Sequence, residues 1–374
     1  MSTNSGRMEW LDVSKGLAIL WIVYFHLANE RGPADPAHAG TLEVFWHWLV
    51  GIGFHGVGMF LIISGWSLTQ SCAKQEQRGP IDWAQWYRKK LFRLFPMYWV
   101  AHLAFVAFFV IGHAIGVPIV EGFEPLDRRF WYSFFGLRII DIQSNFFYLN
   151  AAWWYFSALI QLYLVFPLLY VAMRRLGVWP VVIVSLVIGF GLRYVALVIA
   201  PYHESLMWFS DGLWVQGGLG LCRLPEFALG MLVAEWHRTH RAAVDTFLLK
   251  GPGLVLGALA YPAAMWCYRG LERYVFVDLA TGICFLLIVV GAAGLITRVP
   301  PISRVIGLCG TYSYGIYLLH QPHINSLSVM TKHMAPVLFG ACAIAAVVVM
   351  ALEGIWVEKT VNRWTSQLLD GKRS

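Results

Sequence analysis

The segment WPVVIVSLVIGFGLRYVALVI, residues Trp179–Ile199, decides the class of this fold. One charge, Arg193, interrupts it, and its apolar residues run on without alternation. A helix of about 20 residues crosses the ~30 Å hydrocarbon layer of a bilayer, whereas a barrel strand would be shorter and would alternate in polarity. The stretch therefore reads as a membrane-spanning helix. Nine further apolar segments of similar length follow outward from it: approximately 10–28, 46–70, 96–116, 151–171, 214–236, 252–268, 276–297, 305–324 and 334–356. The shortest, 252–268, carries Pro262. The stretch 131–149 is aromatic but interrupted by polar residues, and reads as an interfacial or loop helix. The expected fold is an all-α polytopic membrane bundle of about ten helices.

Composition agrees. Of 374 residues 58% are hydrophobic and 13% charged, with mean hydropathy +0.60 and 18 Trp, 24 Phe and 16 Tyr. A soluble chain would need a more charged surface. The net charge of +7 does not point to nucleic acid, because the basic residues sit in short loops between apolar spans. With the amino terminus inside, eighteen Lys and Arg fall in cytoplasmic segments and seven in the opposite loops. That asymmetry predicts that both termini are cytoplasmic and that the protein lies in the inner (cytoplasmic) membrane. Glu9, Asp12 and Lys15, and the lack of a small-residue cleavage site, give the expectation that the first segment is not a removed leader. No linker or internal repeat divides the chain, so residues 1–374 are expected to form one membrane domain.

Several motifs carry nothing. Cys72, Cys222, Cys267, Cys284, Cys309 and Cys342 lie in or beside apolar spans without CxxC or Cys/His spacing, and read as packing residues; no metal is expected. Gly51-x-Gly53-x-x-Gly56 matches a dinucleotide fingerprint but follows no strand. No GxSxG elbow or Walker loop is present.

The informative residues are polar or ionisable groups inside apolar segments, where each is expensive. They are Glu9, Asp12, Lys15 and His26 in the first span; His47, His55 and Ser64-Gly65 in the second; Arg223 and Glu226 in the sixth; and His320 in the ninth. The basic cluster Arg88-Lys89-Lys90-x-x-Arg93 precedes Pro96 and the third span. Such a cluster alone is commonly a topology signal, and a lone intramembrane His is commonly a helix-to-helix hydrogen bond.

In combination these residues make the chain resemble the acyltransferase 3 family, multi-spanning acyltransferases that modify surface and secreted carbohydrates. MEWLDVSKGLAILWIVYFH carries a basic residue and a histidine with ten residues between them, Lys15 and His26. GVGMFLIISGW (Gly56–Trp66) resembles the family's FFxxSGF element, and RKKLFRLFPMYW its R-x-x-R-x-x-P-x-Y element, with Lys90 and Arg93 at the basic positions. RLPEFALGMLVAE (Arg223–Glu235) and GTYSYGIYLLHQP (Gly310–Pro322) resemble later elements, so five motifs occur in order over residues 8–322. There are departures: Gly58 stands where members often have Asp, Lys15 replaces the commoner Arg, and Leu159 and Ile160 occupy the places of a Glu pair after Trp154. The chain looks like a stand-alone member without an extra extracytoplasmic domain.

The resemblance implies an acyl-CoA donor, here acetyl-CoA, and a carbohydrate acceptor such as a polysaccharide or its lipid-linked precursor. Transfer from a thioester to a hydroxyl needs a base and charge stabilisation at the carbonyl oxygen. His26 is the first candidate base and His320 the second, with Lys15 in the catalytic motif. Lys90, Arg93 and Arg88 are expected to hold the CoA phosphates, with Ser64 along the path of the pantetheine arm. Arg223 is a candidate for stabilising the oxyanion or holding the acceptor, and Trp153 and Tyr155 for contacting it. The loop 117–150, with Trp131, Tyr132, Phe146, Phe147, Tyr148, Arg128, Arg129 and Asp141, is read either as a sugar-binding surface or as an interfacial aromatic belt. A carbohydrate transporter would show inverted repeats and paired broken helices, which the sequence does not display; a non-catalytic assembly partner leaves the Lys15–His26 and Lys90–Arg93 placements without a reason. Membrane lipid is the one further partner expected, and the oligomeric state is open.

Overall fold

A computed structural model describes residues 8–31, 45, 48–115, 127–266, 273–331, 334 and 336–370. His47, Cys267, residue 116 and the 117–126 part of the long loop lie outside these residues. Among the described residues the chain is helical and contains no strand. The main helices are α1 (Glu9–Arg31), α2 (Gly56–Glu76), α3 (Trp83–Ala114), α4 (Arg128–Phe134), α5 (Trp154–Leu176), α6 (Val178–Tyr194), α7 (Leu224–Thr239), α8 (Arg241–Leu249), α9 (Pro252–Trp266), α10 (Arg273–Ile296), α11 (Pro300–Thr311), α12 (Ser313–Thr331) and α13 (Pro336–Asp370).

Seven stretches are long and apolar enough to cross a membrane: Glu9–Asn29, Trp48–Glu76, Trp83–Ala114, Ala151–Leu176, Val178–Tyr202, Val275–Ile296 and Leu338–Leu368. The pair α8 and α9, bent by 57°, makes an eighth if counted as one span. The remaining two of the ten expected segments are apolar but broken. Residues 214–236 begin as a distorted turn, Trp214–Gly218, pass through the 3-10 turn Gly220–Arg223 and become regular only at α7. Residues 305–324 are split at Tyr312 between α11 and α12. Broken backbone at membrane depth is tolerated where it lines a cavity or is buried in protein. Both breaks border cavities described below.

Local chemistry sets the helix ends. Asp82 caps α3 by accepting from the Gln85 N–H at 3.0 Å, and Asp127 caps α4 through the Phe130 N–H at 3.1 Å. Gly177 turns the chain between α5 and α6 at φ 88°, a region that favours glycine. α1 packs against α10, α11 and α12, and α2 against α7. Two of these crossings are closed by glycine pairs. A Cβ on Gly65 would strike the Phe227 carbonyl of α7 and one on Gly230 the Ile62 carbonyl of α2; Gly16 and Gly310 stand in the same relation across α1 and α11. Small residues at such crossings let helix backbones approach within a membrane. Ile183, Val187, Leu259, Ile344 and Val348 are exposed, consistent with faces towards lipid.

The 127–150 loop is a folded cap. Fully buried Arg138 donates to the carbonyls of Phe146 at 2.8 Å and Tyr148 at 2.9 Å and to the Ser133 hydroxyl at 2.7 Å. Burial, and then the Asp127 carboxylate, push the Tyr148 phenol up to about 12. Phe146 is interior while Trp131 and Phe147 are exposed, so the loop's aromatics divide between core and surface.

Candidate active site

Lys15 and His26 lie on α1 eleven residues apart, about 16 Å along the axis. α11 and α12 pack beside α1, and the break at Tyr312 brings the start of α12 against it. His320 is thereby brought to His26, their ring centroids 5.3 Å apart. The His320 ring is fixed: its Nδ1 lies 2.7 Å from the Tyr317 carbonyl, which can only accept, so the proton sits on Nδ1 and Nε2 carries the lone pair. That Nε2 is buried and has no hydrogen-bond partner among the described residues. The two histidines form the inner end of a cavity of about 350 Å³, within the size range of small-molecule sites.

The same cavity reaches Lys15, Lys90, Arg93 and Glu358. There it adjoins a wider one of about 700 Å³ that shares Lys15, Ser67, Ser71, Arg93 and Glu358 and is also lined by Met8, Lys74 and Asn362. This is the basic end of the bundle, where Arg174 pairs with Glu76 at 3.1 Å across the ends of α5 and α2. Lys15 is held by Asp12 at 2.9 Å, and the Lys90 ammonium lies 5.5 Å from the Trp86 ring centroid. Ser64, Tyr155 and Tyr163 line the wall between the two ends, with the Ser64 side chain beside both tyrosines. The arrangement is a passage with cations at one end, hydroxyls along it and two imidazoles at the other.

Lys15, His26, Ser64, Lys90, Arg93, Tyr155 and His320, seven of the residues singled out in the sequence, thus share one cavity. Three others do not line it. Arg88 is exposed, on a different face of α3 from Lys90. Trp153 is fully buried, packed against His102 and Tyr98, and its indole N–H donates to the Leu318 carbonyl at 3.0 Å. Arg223 borders a second cavity of about 350 Å³, together with Arg193 and Asp278.

Glu358, Arg193 and Asp278 are among the cavity residues that were not singled out as site residues. Glu358 lies beyond the last sequence motif; its carboxylate accepts the Gly315 N–H at 2.7 Å, satisfying a free donor in the first turn of α12. Arg193 and Asp278 are lone charges in separate apolar segments. The rule that intramembrane charges seek partners was the available signal: they pair with each other, and Arg223 pairs with Asp278.

A family model described as an acyltransferase domain matches residues 8–352, nearly the whole chain. The match extends past Pro322 into α13. Comparison with curated proteins and with solved structures gives no match.

Proposed function

The chain belongs to the acyltransferase 3 family and is a multi-pass membrane acyltransferase, and from that premise we propose that it transfers an acetyl group from acetyl-CoA to a hydroxyl of a surface or exported polysaccharide, or of its lipid-linked precursor. The observation that carries this reading is the single cavity joining Lys90 and Arg93 to the His26–His320 pair. Cations at the basic end suit the CoA phosphates, and a narrow passage suits the pantetheine arm. The charge count favours the cytoplasmic side of an inner membrane for that end, and the far side for the histidines.

In this reading His26 takes the proton of the acceptor hydroxyl as its oxygen attacks the thioester carbonyl carbon. The carbon–oxygen bond forms, the carbon–sulfur bond breaks, and the departing thiolate recovers the proton as free CoA. His320 holds its Nε2 lone pair towards the same space and orients the pair. Hydroxyls of Ser64, Tyr155 and Tyr163 are the donors available to the carbonyl oxygen as charge gathers there. No soluble acylated intermediate outside the cell is needed.

Sealed vesicles of known orientation test the proposal. Labelled acetyl-CoA is offered to the face bearing Lys90 and Arg93, with acceptor confined to the other. Label crossing to the acceptor is expected. Label appearing only when both substrates share one face would end the through-membrane route.

A further inference from the structure

The second cavity is built mostly from parts that the donor passage does not use. Its border includes His55, Trp154, Arg193, Gln216, Arg223 and Asp278, with Asp211 beside them. These come from the 3-10 turn Ile52–His55 before α2, from α5, α6 and α10, and from the broken stretch before α7, on the side of the bundle away from the basic end. Exposed Phe54 and Gly212 are also on its border. Val57 and Trp154 border both this cavity and the histidine passage, so the two share a wall.

The charges are balanced. Arg193 and Arg223 stand against Asp278 and Glu226, with Arg223 Nη1 3.0 Å and Arg193 Nη1 3.9 Å from Glu226 Oε1. Their capacity is not used up: both arginines line the cavity, and Nε of each is buried with no hydrogen-bond partner among the described residues. Buried charge is costly to keep in this state, and a ligand rich in hydroxyls would satisfy it. Trp154 lines the cavity, with the Arg223 guanidinium 5.7 Å from its ring centroid. A side chain at Gly217 would collide with that ring, so glycine there keeps the backbone close beside it.

We infer that this second cavity is the acceptor subsite and that it takes an uncharged sugar ring. The inference rests on the acyltransferase reading and adds to it the place and class of the acceptor. Aromatic faces with a few convergent polar groups suit a pyranose. Two cations already matched by two carboxylates, with Asp211 in addition, leave no net positive charge for a uronate or sugar phosphate. A ring seated against Trp154 lies one shared wall from the His26–His320 end of the passage.

The test uses native membranes, which hold the acceptor, supplied with radiolabelled acetyl-CoA. CoA affinity is measured separately on the purified full-length protein. Gln216→Ala removes a polar group from the cavity border, and Val215→Phe fills part of the space. Each is expected to lower label transferred to glycan by about tenfold, the scale of a lost substrate contact, while CoA affinity stays as in the unaltered protein. Full labelling with normal CoA affinity in both variants overturns the subsite. Should Val215→Phe lose CoA affinity through misfolding, Gln216→Ala alone decides. Unaltered membranes that transfer no label would instead defeat the acyltransferase reading, so the two failures are distinct. For the class of sugar, soluble methyl glycosides of neutral hexoses are expected to compete for label better than the corresponding uronic acids. Equal or better competition by the uronic acids, or by neither set, overturns it.

Discussion

His26 and His320 stand with ring centroids 5.3 Å apart at 42°, one on α1 and the other past the break that starts α12. Only His320 has a tautomer set by a backbone carbonyl, that of Tyr317 at 2.7 Å. The pair therefore divides into an oriented imidazole and one whose proton no hydrogen-bond partner commits among the described residues, and the second is better suited to exchange a proton with a substrate.

His26→Ala is accordingly expected to leave the protein folded in the membrane and to reduce kcat by the ~10²–10⁴-fold typical of losing acid–base help. His320→Asn should keep some transfer, because its amide can still donate towards the Tyr317 carbonyl. Steady-state transfer by purified variants decides between them. Near-normal kcat in His26→Ala would pass the base to His320.

Lys90 and Arg93 should act on the donor. Alanine at either is expected to raise the Kd for CoA, with a difference from the unaltered protein that shrinks as salt rises, since a charge-to-phosphate contact at an open mouth is screened. Arg93→Lys should recover part of the affinity, because it restores charge without the two-pronged guanidinium. Calorimetric titration with CoA at two salt concentrations reads this. An unchanged Kd would return the cluster to a topology signal.

Hydropathy made the helical membrane class and seven of the expected spans legible, because each is one continuous apolar helix. It could not show the breaks. A window average over 214–236 stays apolar, while Gly217, Gly218, Gly220 and Pro225 dismantle the helix locally. Likewise Thr311, Tyr312 and Ser313 are too few to lower the average over 305–324. Most of the candidate site was legible because its residues sit in ordered motifs. Trp153 and Trp154 show the limit: adjacent in sequence, they point to different surroundings, since the 3-10 turn Ala151–Trp153 ends where α5 begins. Glu358 had no motif, and its place depends on α13 packing against α12.

The last prediction separates packing from substrate contact at Trp153, and it follows from Pro322. In a regular helix the Leu318 carbonyl would accept the N–H of residue 322, but proline has none. The orphaned carbonyl is instead served by Trp153 Nε1 at 3.0 Å and Asn150 Nδ2 at 3.2 Å, which pins the start of α5 to α12 near His320. Trp153→Phe keeps the ring and removes this donor, so it is expected to cost about 0.5–1.5 kcal/mol of stability. Pro322→Ala returns a backbone N–H to the same carbonyl. In that background Trp153→Phe should therefore cost less, a coupling that a double-mutant cycle on unfolding in detergent would measure. Equal cost in the two backgrounds would dissociate Trp153 from the proline. The acceptor KM of Trp153→Phe should also stay near that of the unaltered protein, because the indole borders neither cavity. A large rise in KM without loss of stability would instead make Trp153 a substrate contact, and the wall of the acceptor subsite would have to include it.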